Sequence, residues 1–102
     1  MSPKGLPDKA TTAELLAWIN DFRKELGRPP VAAIVRGHRG SACHCPVART
    51  VVFGGDAAVI VGHVYTTVYG KRCPVTRNVP ALVSDFISAF DEGRYPGLEL
   101  PA

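Results

Sequence analysis

Apolar residues first fall into helical spacing at Leu15, Trp18, Ile19, Phe22 and Leu26, which together form one face of an amphipathic helix. Thr11-Thr12-Ala13-Glu14 ahead of them has the form of a capping box. Gly27 stands where a C′ residue belongs, so the pattern predicts a helix over 12–26. Pro29 and Pro30 stop it, and the short apolar run from Val31 to Val35 is compatible with a strand. Residues 36–45 lose all periodicity, are rich in glycine and polar groups, and read as a loop. Pro46 suits the first position of a short helix reaching Phe53, although Thr50, Val51 and Val52 are weak helix formers; Gly54-Gly55-Asp56 closes it.

Residues 57–69 are dominated by valine, isoleucine, threonine and tyrosine, which favour a pleated surface, and Gly62-His63 breaks them into a hairpin. Gly70-Lys71 supplies a second turn, leaving Cys73-Pro74-Val75-Thr76 as an edge strand on which proline is tolerated. A last helix opens near Asn78 or Val79, with Pro80 in its first turn. It carries Leu82, Val83, Phe86, Ile87 and Phe90 inward and ends at Gly93. This order predicts an α+β fold: a small antiparallel sheet of three to four strands with two longer helices packed on one face. The expected organisation is a flexible segment over 1–10, one domain over 11–98 and a short tail over 99–102.

The chain has 102 residues, 46% apolar and 21% charged, which fits one globular domain able to bury a modest core. No run approaches the ~20 apolar residues of a membrane span. The first residues lack a hydrophobic signal core, and the three cysteines are an odd number, so a reducing cytosolic setting is expected. The net charge of +3 is unevenly spread. Residues 26–84 hold seven basic side chains against Asp56 alone, while the segment from Asp85 onward is acidic. A basic middle can face an anionic partner or be complemented within the fold by the acidic tail.

Three kinds of chemistry are open to these residues. Cys43, Cys45, His38 and Cys73 are thiol and imidazole groups of the type zinc prefers, with His63 a further donor. One residue separates Cys43 from Cys45, however, where the usual zinc pairs leave two to four, so the two sulfurs share a face only if the loop is extended. The alternative is that Cys45 caps or packs beside the short helix and Cys73 is a small hydrophobe. Arginines beside Cys43 and Cys45 favour thiolate, yet no spacing ties a base to a nucleophile, and no phosphate-loop or dinucleotide fingerprint is present. Arg36, Arg39, Arg49, Lys71, Arg72 and Arg77, with Tyr65 and Tyr69 on one side of a strand, would suit a nucleic acid if the tyrosines faced solvent.

The stretch Cys43-His44-Cys45-Pro46-Val47-Ala48-Arg49 follows a glycine-bearing basic loop, and Phe90-Asp91-Glu92-Gly93-Arg94-Tyr95-Pro96 ends the last helix. Together they resemble small accessory proteins encoded by phages of actinobacteria. The likeness covers about half the chain. It implies an origin, and a protein that binds a host protein or nucleic acid in the bacterial cytosol. Tyr95 also has a reading without any partner, in which its ring folds back over the last helical turn beside Phe90.

The expectation is therefore a non-enzymatic protein without a cofactor that docks on a host protein. Its contacts would be Arg36, His38, Arg39, His44, Arg49, Lys71, Arg72 and Arg77. A nucleic-acid-binding module using the same charges, and a zinc-stabilised domain, are the alternatives.

Overall fold

The computed structural model describes residues 9–55, 57–70 and 74–100. Its first element, α1, spans Lys9–Glu25. The helix is already running at Lys9, so Thr11 lies within its opening turns and is not the N-cap. Lys9 and Ala10 are good helix formers and continue the helix backward. Its end follows the sequence pattern. Gly27 adopts φ +75°, its N–H donates to Lys24 O at 3.0 Å, and Arg28 N–H donates to Arg23 O at 2.8 Å. These are the paired bonds of a Schellman motif, which needs a left-handed residue at that point.

The run from Val31 to Val35 is not a strand. Its backbone is satisfied by side chains from helices. Asn20 Nδ2 donates to Val31 O at 3.1 Å, Asn20 Oδ1 accepts from Val31 N–H at 2.9 Å, and Thr50 Oγ1 accepts from Val35 N–H at 2.9 Å. Ala32 and Ala33 are exposed and the segment has no ladder partner, although Ile34 packs in part against the core.

The short helix α2 spans Pro46–Val51 and is almost entirely buried. A helix end leaves carbonyls without partners, and here Arg23 of α1 supplies them. Its guanidinium, only 3% exposed, donates from Nη1 to Thr50 O (3.0 Å), Val51 O (3.1 Å) and Phe53 O (3.0 Å). Its Nε donates to Pro29 O at 2.8 Å. Burial above all, and then the nearby charge of Arg28, draws Arg23 below the ordinary guanidinium value.

Three strands follow, β1 (Ala58–Val61), β2 (Tyr65–Tyr69) and β3 (Val75–Asn78), paired antiparallel in the order β1-β2-β3. Strand alternation gives the sheet two unlike faces. Val59, Val61, Thr66 and Val68 are buried, and they join Leu15, Ile19 and Phe22 of α1 in one core. The same core takes Val83, Phe86, Ile87 and Phe90 of α3 (Ala81–Asp91). Both long helices therefore pack on one face of the sheet, as expected from the sequence. β3 is tied to α1 through Arg77, which bonds Asp21 and Glu25 and lies with its guanidinium carbon 5.7 Å from the Phe22 ring centre.

Pro80 occupies the N-cap position of α3, so that helix begins two to three residues later than the reading from Asn78 or Val79. At its other end Gly93 (φ +83°) and Arg94 make the second Schellman pair, to Phe90 O and Ala89 O. Tyr95 folds back as anticipated, stacking on Phe86 at 5.1 Å, one helical turn before Phe90. Among the described residues no helix is long and apolar enough to cross a membrane.

Two stability predictions follow from this packing. Arg23→Met removes four hydrogen bonds from a charged donor and orphans buried carbonyls, so chemical denaturation should show a loss of about 3 kcal/mol or more. Thr66 Oγ1 is buried on the core face of β2 with no partner among the described residues. Thr66→Val should therefore stabilise the protein by roughly 1 kcal/mol, measured the same way, because it removes an unsatisfied hydroxyl while nearly keeping the shape.

Candidate functional site

The basic loop is held from several sides. Gly37 is clamped between the C-terminal residues and the start of α2: its N–H donates to Leu98 O and its carbonyl accepts from Leu100 N–H, each at 2.9 Å. A Cβ on Gly37 would sit 2.4 Å from the Cys45 carbonyl carbon and from Pro46 N, so only glycine fits. The loop then closes on itself through His38 N–H to His44 O at 2.7 Å, and it reaches β1 through Val61 N–H to Ala42 O at 2.8 Å. Gly40 N–H donates to Asp91 Oδ1 at 3.0 Å, fastening the loop tip to α3.

This scaffold separates the side chains that the sequence suggested might act together. Arg39 turns to Glu99 at 3.1 Å, so the acidic tail complements the loop at that point. Arg77 is engaged by Asp21 and Glu25 of α1, which raise its pKa above the ordinary guanidinium value; the hydrogen bond to Glu25 is the largest cause. Arg36 and His38 are exposed. His44 holds Ser41 Oγ through Nδ1 at 3.1 Å, and Arg49 Nη1 donates to Arg36 O at 2.9 Å. Lys71, Arg72 and Cys73 lie outside the described residues.

Cys43 and Cys45 do not share a face. Cys43 is exposed, whereas Cys45 is buried as the N-cap of α2, its sulfur accepting from Ala48 N–H at 3.4 Å. Pro46 at the first helical position leaves the cap to the preceding side chain, and this turns the sulfur inward. Burial is the main influence on the Cys45 thiol and pushes its pKa up. Among the described residues no three His, Cys, Asp or Glu side chains gather as a metal ion would require.

His44 and Arg49 are instead brought to a groove of about 590 Å³ between the loop, the end of α2 and β1. Its wall is mostly apolar, with Phe53, Ile60 and Tyr69 beside them. The groove opens onto the uncovered face of the sheet, where Ile60 is 48%, Tyr69 47% and Tyr65 58% exposed. Thr67 and Thr76 bond each other across β2 and β3 on that face at 2.9 Å. Every strand residue pointing outward there, from Ala58 to Asn78, is uncharged. Phe53 (54%) and Val64 (62%) extend the exposed apolar surface at its margins. Alternation already put Tyr65 and Tyr69 on one side of their strand; which side the helices cover depends on packing, and Phe53 and Ile60 gave no separate signal.

No family model, curated protein or solved structure matches the chain.

The two described thiols differ in burial, and burial pushes the Cys45 thiol up, so their reactivity should differ. Site-resolved alkylation by iodoacetamide at neutral pH, read by peptide mass spectrometry, should modify Cys43 in the native protein and Cys45 only once denaturant is added. Prompt native labelling of Cys45 would contradict its role as a helix cap.

Proposed function

We propose that this chain is a non-catalytic binding module that docks on another protein through the uncovered face of its sheet and the adjoining groove. The observation that carries this reading is the uncharged, aromatic-bearing sheet face: Ile60, Tyr65 and Tyr69 are each about half exposed on regular strands, with no helix over them among the described residues. Charge depletion with aromatic enrichment marks the centre of protein interfaces, and a monomer seldom leaves such a patch uncovered without use. His44 and Arg49 give this patch a cationic rim. The basic loop thus contributes one border of the contact surface, with its remaining arginines spread elsewhere. The resemblance to phage accessory proteins supports a bacterial host protein as the partner.

A second reading is favoured by one feature. Tyr65 and Tyr69 project from the same face of β2, ~13 Å apart at the usual ~3.3 Å rise, as stacking platforms for a single-stranded nucleic acid would.

The test is capture from actinobacterial lysate by the tagged protein after nuclease treatment, over a range of salt, alongside the double variant Ile60→Glu, Tyr69→Glu. One protein should be retained by the native chain at high salt and lost by the variant. Both positions are exposed, so the variant's folding stability should stay within about 0.5 kcal/mol. Retention of nucleic acid alone, falling steeply with salt, would replace this reading with the second.

A further inference from the structure

A second concavity, of about 260 Å³, lies between the turn that follows α1 and Phe53-Gly54 at the end of α2. Two guanidinium groups line it, those of Arg23 and Arg28, and no acidic side chain does among the described residues. Arg23 is 3% exposed, and its Nε and Nη1 are spent on four carbonyls. Its Nη2 has no acceptor among the described residues, yet it is not sealed in the core, so the remaining N–H groups of Arg23 open on this pocket. Arg28 is half-buried, and its guanidinium lies so close over Gly55 that a Cβ there would run into it. The Arg28 side chain makes no ion pair or hydrogen bond among the described residues. Asp21 and Glu25, the acidic groups of the last turns of α1, are already held by Arg77. The two cations oppose each other: the charge of Arg28 is the second cause, after burial, that draws Arg23 below the ordinary guanidinium value.

Like charges held together, one of them withdrawn from water, form an arrangement that an anion relieves. A guanidinium presents its N–H groups in a planar fork that matches the oxygens of a carboxylate or a phosphate. Charge separates those two ligands. One carboxylate leaves half of the positive charge uncancelled, whereas a phosphate monoester carries about −1.5 to −2 at neutral pH. The other walls set what the phosphate is attached to. Pro29, Pro30 and Val31 line the pocket with apolar surface, and so does the Phe53 ring, 54% exposed. The volume falls below the ~300 Å³ at which pockets for drug-sized ligands begin, so a phosphoryl group with one small ring is the size that fits.

We infer that this pocket is a binding site for a small phosphate monoester, its phosphoryl oxygens between Arg23 and Arg28 and its apolar body against Phe53. The site stands apart from the docking surface, because the pocket and the groove share only Phe53 and Gly54. Arg23 is fixed by its carbonyls and the two prolines stiffen the wall, so little freedom is lost on binding beyond that of Arg28. Because Arg23 also holds the end of α2, a ligand bound to the folded chain here stabilises it in proportion to its concentration.

The probes are phenyl phosphate, inorganic phosphate and benzoate, titrated into the full chain by calorimetry. Phenyl phosphate should bind one to one and at least tenfold more tightly than benzoate. Its affinity should fall as the pH is lowered through the second phosphate ionisation near ~6; no described group lining the pocket titrates there, so the change belongs to the ligand. Arg28→Gln should weaken binding at least tenfold while leaving the circular dichroism spectrum unchanged. Replacing Arg23 would disturb the fold, so Arg23 is followed in the native protein, where its Nε–H resonance should shift during the titration. Phe53→Ala should weaken phenyl phosphate and leave inorganic phosphate as it was, and Arg49→Gln, in the groove, should alter neither. Asp56 lies outside the described residues and next to Gly55 in the sequence, so Asp56→Asn is the control for a carboxylate of the chain itself. The inference is overturned if phenyl phosphate does not saturate, if benzoate binds equally well, or if Arg28→Gln binds as the native chain does. It is equally overturned if Arg49→Gln abolishes binding, or if binding is seen only in Asp56→Asn.

Discussion

The guanidinium of Arg23 is the interaction on which the rest of the architecture leans. It is a buried cation with no carboxylate beside it among the described residues, held by carbonyls from the turn after α1 and from the end of α2. A short helix cannot stand by itself, because nucleating it costs more than a few internal hydrogen bonds return. α2 exists because its side chains are buried, because Cys45 and Pro46 begin it, and because Arg23 satisfies its terminal carbonyls. The same helix then carries Thr50, which fixes the extended segment through Val35, and Arg49, which borders the groove. A single residue of α1 thus reaches the groove indirectly, by way of the helix that carries its wall.

Electrostatics divides the molecule in a second way. The excess of positive charge along the middle of the sequence is partly taken up within the fold, which pairs Arg39 with Glu99 and Arg77 with Asp21 and Glu25. The cations left around the groove are few. The groove wall itself is mostly apolar, with Arg49 and His44 at its border.

The elements whose signals are local were legible in the sequence. α1 and α3 have periodic apolar faces and glycines at their ends, and the hairpin has β-branched strands around Gly62. The run from Val31 to Val35 is compatible with a strand by composition but is not one, because its hydrogen-bond partners, Asn20 and Thr50, lie eleven and fifteen residues away and are side chains, which no propensity encodes. Cys43 and Cys45 looked alike in spacing, yet the cap at Pro46 buries one and leaves the other in solvent. The uncovered sheet face was half visible. Alternation puts Tyr65, Thr67 and Tyr69 together, but the direction they face is settled by Val59, Val61 and Val68 meeting the helices. The pairing of Arg77 with Glu25 across 52 residues leaves no mark on the chain, so the sequence shows Arg77 only as one of the basic side chains.

The clamp at Gly37 ties the order of synthesis to the completion of the groove. Its partners are the backbone groups of Leu98 and Leu100, some sixty residues farther along, and the loop they secure carries Cys43 and His44 into the groove wall. A ribosome would have finished α1, α2 and all three strands before those partners were made. During that interval the loop would lack its C-terminal anchor, so the groove wall would be among the last parts of the molecule to be held in place.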